Sequence, residues 1–328
     1  MTMSSHDVPL WRKIQRDNFT NLDKLAEFLE LSERQASQLC HRKHFPLQLP
    51  RRLAEKIRKK TLDDPVLRQF VPLQEEQEIA QGFCLHPTQD VLFSKTPCLL
   101  KKYEKRALLI TTSACAMHCR FCFRQNYPYD AADKLFDKEI QLIAEDSSLI
   151  EIILSGGDPL SLSDRQLANL IARLQAISHL KLLRFHTRFP IGIPERITEE
   201  FLAIVAKTSL QVIFVSHINH PLELDQEVQE ALHKIHRLGI PLLNHTVLLK
   251  GVNDSLQTLV ELNLALVQAG IIPYYLNQLD KVQGSAHFEV EKEKGLLLCK
   301  QLKESLPGYA VPRYIQEIPG ESHKTILM

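Results

Sequence analysis

Three thiols and their spacing are the first sign of chemistry in this sequence. Cys115, Cys119 and Cys122 stand with three and then two residues between them, in Cys115-Ala116-Met117-His118-Cys119-Arg120-Phe121-Cys122. Thiolate is a soft ligand that holds Fe–S clusters and zinc. Three of them on one short loop can wrap a corner of a [4Fe–4S] cube. The cube has four irons, so three cysteines leave one iron open to a small molecule. A structural zinc site normally completes four protein ligands. Here His118 is the candidate for the fourth, and it is hemmed within the same tight turn. Burial of three small hydrophobes is the other alternative. In a chain of 328 residues with 7 cysteines, this spacing favours the cluster. Cys40, Cys84, Cys98 and Cys299 are scattered and read as packing residues or incidental thiols.

The loop has to be carried by something. It follows the apolar run Ala107-Leu108-Leu109-Ile110-Thr111-Thr112, the first of six short runs rich in Ile, Leu or Val. The runs cover 108–112, 150–155, 182–187, 211–216, 242–249 and 272–277 and read as strands. Helical patterns over 133–145, 163–177, 198–206, 225–238 and 255–269 separate them, and 290–306 follows the last. Strand-then-helix repetition requires parallel strands with right-handed crossovers. Six are too few to close an eight-stranded barrel, and in such folds the reactive groups sit at the C-terminal strand ends. The cysteine loop falls there. So does Ser155-Gly156-Gly157-Asp158-Pro159, where paired glycines let backbone approach a ligand closely, or simply make a turn.

Ahead of the barrel, residues 1–98 form a separate helical extension and linker, and 99–328 the main domain. Helical spacing begins at Leu22, capped by Thr20-Asn21, restarts at Ser32 and returns over 47–60. Residues 1–60 carry 13 Lys+Arg against 7 Asp+Glu, which reads as a solvated basic face or a docking face for an acidic partner. Prolines 65, 72, 87 and 97 mark the linker. The net charge of +1 gives no field to attract nucleic acid or membrane. Met1 to Pro9 is polar with no apolar leader region, and no stretch approaches the roughly 18 apolar residues of a span. The expectation is a cytoplasmic protein, with its cysteines reduced.

The cysteine motif after an apolar strand resembles the radical S-adenosylmethionine (SAM) signature. More narrowly, the chain from about Leu99 onward resembles the lysine 2,3-aminomutase family, on the branch that makes β-lysine for elongation factor P. The resemblance implies an α/β fold, an open partial (β/α)6 TIM-like barrel. It implies a [4Fe–4S] cluster on Cys115, Cys119 and Cys122, with SAM chelated to the open iron and its amino group met by Gly156, Gly157 and Asp158. It also implies pyridoxal 5′-phosphate (PLP) bonded to Lys324, in Pro319-Gly320-Glu321-Ser322-His323-Lys324-Thr325. Glu321, Ser322 and His323 depart from the glycine-rich loop of relatives. Lys102, Tyr103 and Arg106, from the residues alone a solvated basic turn, become the phosphate site. Arg124 becomes the clamp on the substrate's α-carboxylate. Asp280 and Glu317 become readers of its side-chain ammonium, with Glu317 one methylene longer than the aspartate of clostridial-type enzymes.

The implied activity is conversion of L-lysine to β-lysine by migration of the amino group between adjacent carbons. Implied partners are a one-electron donor of flavodoxin or ferredoxin type, elongation factor P and its lysyl ligase. A homodimer is the expected assembly, because the chain ends four residues after Lys324. The segment Val247-Leu248-Leu249-Lys250-Gly251-Val252-Asn253-Asp254 has a family counterpart without an assigned step. Asn244 and His245 before it are candidates to face the cavity.

Overall fold

A computed structural model describes residues 8–129 and 135–328. Ten strands form one open sheet in sequence order. An antiparallel flap of β1 (Ser94–Thr96) and β2 (Leu99–Tyr103) leads into β3 (Arg106–Ile110). From there β4 (Glu151–Ser155), β5 (Leu182–Thr187), β6 (Gln211–His217), β7 (Leu242–Val247), β8 (Ile272–Asn277) and β9 (Arg313–Gln316) add in parallel. The short β10 (Thr325–Ile326) returns antiparallel on β9. All six expected strands are present. The seventh parallel strand, β9, was not expected: it is only four residues long and follows Pro312.

Five short helices precede the sheet: α1 (Leu10–Arg16), α2 (Leu22–Phe28), α3 (Glu33–Ala36), α4 (Arg51–Glu55) and α5 (Pro65–Phe70). Their caps explain their starts. Asn21 accepts from Lys24 N, Ser32 closes a capping box with Gln35, and Asp64 accepts from Val66 N and Leu67 N. The helix expected over 47–60 shrinks to α4. Pro50 holds Leu49 extended, and Leu49 pairs with Phe19 across a bridge.

Outside the sheet lie α6 (Asp137–Glu145), α7 (Asp164–Gln175), the single turn α8 (Phe189–Gly192), α9 (Glu199–Lys207), α10 (Gln226–His236), α11 (Leu256–Gln268) and α12 (Lys292–Ser305). Part of the first expected helix, 133–134, lies outside the described residues. Apolar stripes such as Leu167, Leu170, Ile171 and Leu174 pack on the sheet. The main core is continuous from Trp11 and Leu25 in the extension to Leu154 and Phe185 in the strands. Among the described residues no helix is long and apolar enough to cross a membrane.

Candidate active site

The C-terminal ends of the parallel strands open into one cavity of about 830 Å³. The cysteine loop leaves β3 directly into its wall. What holds that loop is local and specific. Thr111 N donates to Ser155 O at 2.9 Å, Gly157 N to Thr112 O at 2.7 Å and Asp158 N to Ala114 O at 2.9 Å. A Cβ on Gly156 would meet Thr112 O at 2.6 Å, and one on Gly157 would meet Ala114 O at 2.4 Å. Gly156 also has φ +122°. The two glycines are therefore required by the loop itself, whatever ligand they also meet.

The far side of the loop is held by the extension. Gln15 Nε2 donates to Cys115 O (3.3 Å) and Asn18 Nδ2 to Ala116 O (2.7 Å). His118 N donates to Gln48 O (3.0 Å) and Arg120 N to Gln69 O (2.8 Å). Arg120 is fully buried and forks onto Glu76 at 2.8 and 2.6 Å. His118 stacks on Phe45 and its Nδ1 is bonded to Pro46 O at 2.8 Å. Among the described residues, only a histidine trio has three ligand atoms within 4.8 Å of one another. The three thiols share the wall of the cavity, and burial raises the pKa of each.

Asp158 is buried and heavily bonded. Its carboxylate accepts from Leu160 N, Thr187 Oγ1, Arg188 N and Phe189 N at 2.7–3.0 Å. It thus ties the turn after β4 to the end of β5. Burial pushes its pKa up to about 6 against those hydrogen bonds.

Across the cavity, Lys324 lies just before β10. Its Nζ donates to Asn277 Oδ1 at 3.4 Å and sits 5.5 Å from the centre of the Tyr275 ring. Burial lowers its pKa, opposed by Glu317 and Asp280. Asp280 is pushed up to about 7 by burial, with Lys324 pulling the other way. Glu317 is already engaged. Tyr103 Oη donates to both its oxygens at 2.7 and 2.8 Å, and Lys102 pairs with it. The basic stretch and the distal carboxylate thus form one cluster. Arg106 stacks 4.7 Å over Tyr103, and its buried Nε has no partner.

Arg124 is buried. Its Nε donates to Asp90 Oδ2 at 3.0 Å and its Nη1 to Ser155 Oγ at 3.1 Å. Asp90 was not foreseen. It opens a turn of helix in the linker, after Gln89 at φ +51°, and no periodicity marks it.

Two of three cavity histidines were also missed. His186, His217 and His245 come from β5, β6 and β7, with ring centres 5.0–5.9 Å apart. Each Nε2 is buried without a partner. Burial lowers all three pKa values, His217 to about 3, so the rings are neutral. Arg184, Arg188, Arg124 and Lys324 act on them as cations, a field that favours polar organic groups over a divalent ion. Position was the available signal: each stands at or near the C-terminal end of a strand. Asn244 points the other way, accepting from Ser216 Oγ and Ile218 N.

Asn244 apart, the site residues expected from the sequence line this cavity: Lys102, Tyr103, Arg106, Cys115, Cys119, Cys122, Arg124, Gly156, Gly157, Asp158, His245, Asp280, Glu317 and Lys324. Residues 109–262 match the family model of the radical SAM superfamily. An Escherichia coli L-lysine 2,3-aminomutase is 41% identical, covering 100% of this chain and 97% of its own. The chain belongs to the lysine 2,3-aminomutase family. The Haemophilus influenzae lysine 2,3-aminomutase is also 41% identical, over 96% of this chain and 95% of its own. The Clostridium subterminale lysine 2,3-aminomutase is 31% identical, over 99% and 79%. Among solved structures, Streptococcus suis SuiB bound to S-adenosylmethionine aligns over 66% of this chain and 51% of its own, at 15% identity and a TM-score of 0.49. A lysine 2,3-aminomutase family member is an enzyme, an isomerase, and as a radical SAM protein it works with a [4Fe–4S] cluster and SAM.

Proposed function

We propose that this chain is an L-lysine 2,3-aminomutase that uses PLP together with its cluster and SAM, all within the one cavity. The observation that carries the reading is the shared enclosure: Lys324, beside Asn277, Asp280 and Glu317, faces the same cavity as the three thiols.

The residues fit the groups they would hold. Cys115, Cys119 and Cys122 supply three thiolates for the cluster. The orphaned Arg106 Nε offers a donor for a phosphate, and Lys102 and Tyr103 would join it in exchange for Glu317. The orphaned histidine Nε2 atoms offer neutral partners for polar atoms of bound cofactors. When bound, the cluster with SAM supplies hydrogen-atom abstraction, and PLP supplies a conjugated ring that carries the amino group through its shift.

The protein's own work is binding and shielding. Desolvation lowers the pKa of Lys324 and so raises the fraction of its amine that is neutral and nucleophilic. Arg124 offers a fork to the substrate's carboxylate in exchange for Asp90. Asp280 offers a buried carboxylate to its ammonium. Gly156 and Gly157 hold the turn on which the amino group of SAM is met, with Asp158 bracing it. The enclosure keeps water from the radical steps. Residues 1–98 act as an extension that backs the cysteine loop, and 99–328 as the catalytic barrel. On the motif resemblance alone, we further propose that the β-lysine serves elongation factor P through a separate lysyl ligase, in the cytoplasm. A flavodoxin- or ferredoxin-type protein would deliver the electron to a homodimeric enzyme.

One observation favours a second reading. Glu317 is held by Lys102 and Tyr103, which leaves Asp280 to read the far end of the substrate. An aminomutase for a different amino acid would need no second free carboxylate. The test is anaerobically reconstituted protein given SAM, PLP, dithionite and L-lysine, in parallel with arginine and glutamate. β-Lysine is expected from the wild type and none from Lys324→Ala. SAM cleavage with lysine untouched would refute the lysine reading, and a β-amino product from another substrate would establish the second.

A further inference from the structure

Arg188 stands at the end of β5 with a buried guanidinium directed at the cysteine loop. Its Nη1 donates to Cys119 Sγ at 2.9 Å. Its Nη2 donates to Gln69 Oε1 at 2.5 Å and to Glu223 Oε2 at 2.8 Å. The planar group lies over Phe70 and Phe121, with 4.6 and 5.3 Å to the ring centres. Its Nε is buried without a partner, so that donor remains for whatever occupies the space beside Cys119.

The arginine is over-determined. Its backbone N–H donates to Asp158 Oδ2 at 2.7 Å. Gln69 is fixed in turn by Glu223 and Pro65 O through Nε2, and by Asn219 Nδ2 on its Oε1. Glu223 Oε1 also takes Asn219 N and His220 N, at 3.1 and 2.9 Å. Such a network costs desolvation of a full ion pair. A fold that needed only packing here would be served as well by apolar side chains.

We propose that Arg188 sets the reduction potential of the cluster, and that Gln69 and Glu223 are positioning residues that aim it. The one-electron reduced cluster carries one more negative charge, spread in part over its sulfurs. An N–H donor and a cation at a ligand sulfur stabilise the reduced form more than the oxidised one and raise the potential. Arg188 therefore makes an otherwise very reducing cluster easier to charge. Gln69 belongs to α5, so the extension takes part in that setting. The inference rests on the cluster seat proposed above.

The test is an EPR-monitored redox titration of the SAM-free cluster in holoenzyme, with iron counted per chain. Arg188→Gln alone leaves Glu223 as an unpaired buried charge and risks misfolding. The informative variant is therefore the double Arg188→Gln/Glu223→Gln, with Arg188→Lys beside it. The double variant is expected to hold its iron and become about tenfold harder to reduce, a midpoint lower by about 59 mV for one electron. Arg188→Lys, which keeps a cation without the fork, is expected to fall between. Unmoved midpoints with a raised KM for SAM would overturn the proposal and make Arg188 a SAM-binding residue. Failure of both variants to hold iron, while wild type holds it, would overturn it as well and make Arg188 part of the seat. Wild-type protein that takes up no iron would refute the seat itself.

Discussion

An alanine at position 157 would place its Cβ 2.4 Å from Ala114 O and 2.7 Å from Ser113 C. Both are backbone atoms of the cysteine loop, so no side chain can swing aside. Cβ atoms essentially never come within 3.0 Å, so the loop must retreat by at least about 0.6 Å. That retreat strains the Gly157–Thr112 and Asp158–Ala114 hydrogen bonds, each worth about 0.5–1.5 kcal/mol net. Overpacking adds about 1–3 kcal/mol, for a total of about 2–6 kcal/mol. The cost falls on the seat of the thiols more than on the core, because β3 and β4 pair below it. Gly157→Ala is therefore expected to fold, with near-native far-UV circular dichroism, and to lose most of its iron after anaerobic reconstitution. Gly308→Ala is the control, since nothing lies within 4 Å of a Cβ there. A Gly157→Ala protein that loads full iron and binds SAM as the wild type does would refute the claim that this glycine exists for the loop.

Three further outcomes follow from the cavity and its support. Asp90→Asn releases Arg124 from its carboxylate partner and is expected to tighten lysine binding by about 1–3 kcal/mol; equilibrium binding that weakens instead would make Asp90 part of the substrate site. Asp280 has a folded pKa raised to about 7 by burial, so its protonated form favours the fold. That contribution is full below the unfolded carboxyl value and is lost as pH rises toward 7. Asp280→Asn should then raise the melting temperature of cofactor-free protein more at pH 8 than at pH 5, while abolishing a fall in wild-type KM for lysine as pH rises through about 7. Glu76→Gln strands the buried Arg120 guanidinium and is expected to cost about 3–5 kcal/mol in urea unfolding; a loss under about 1 kcal/mol would show that the pair behaves as a surface one.

The sequence was most legible where a single principle acts alone. The strands over 182–187, 211–216 and 242–249 announced themselves because each sets Leu, Ile, Val or Phe against the core. The cysteine loop announced itself because ligand spacing is covalent. Legibility failed where two distant segments share a decision. Asp90 lies in a proline-marked linker with no pattern, and only its meeting with Arg124 gives it meaning. Glu317 and Lys102 are 215 residues apart, so nothing local could show that the phosphate candidates and the distal carboxylate would grip each other. His186 sat inside a correctly read strand, and His217 is the residue by which β6 outruns the strand expected over 211–216. Alternation alone made Asn244 and His245 mutually exclusive as cavity residues, and the structure chooses His245. The helix expected over 47–60 failed because Pro50 and the Phe19 bridge outweigh its propensity.

Gln15, Asn18, Gln48 and Gln69 bond the cysteine loop from its outer side, and all four precede it in the chain. A ribosome delivers the N-terminal part first. The groups that back the loop are therefore already in the chain when Cys115 is polymerised, whereas the clamp from Gly157 and Asp158 is added about forty residues later. The seat of the thiols thus joins a segment made before them to one made after, and it is complete only once β4 and its turn have followed the loop.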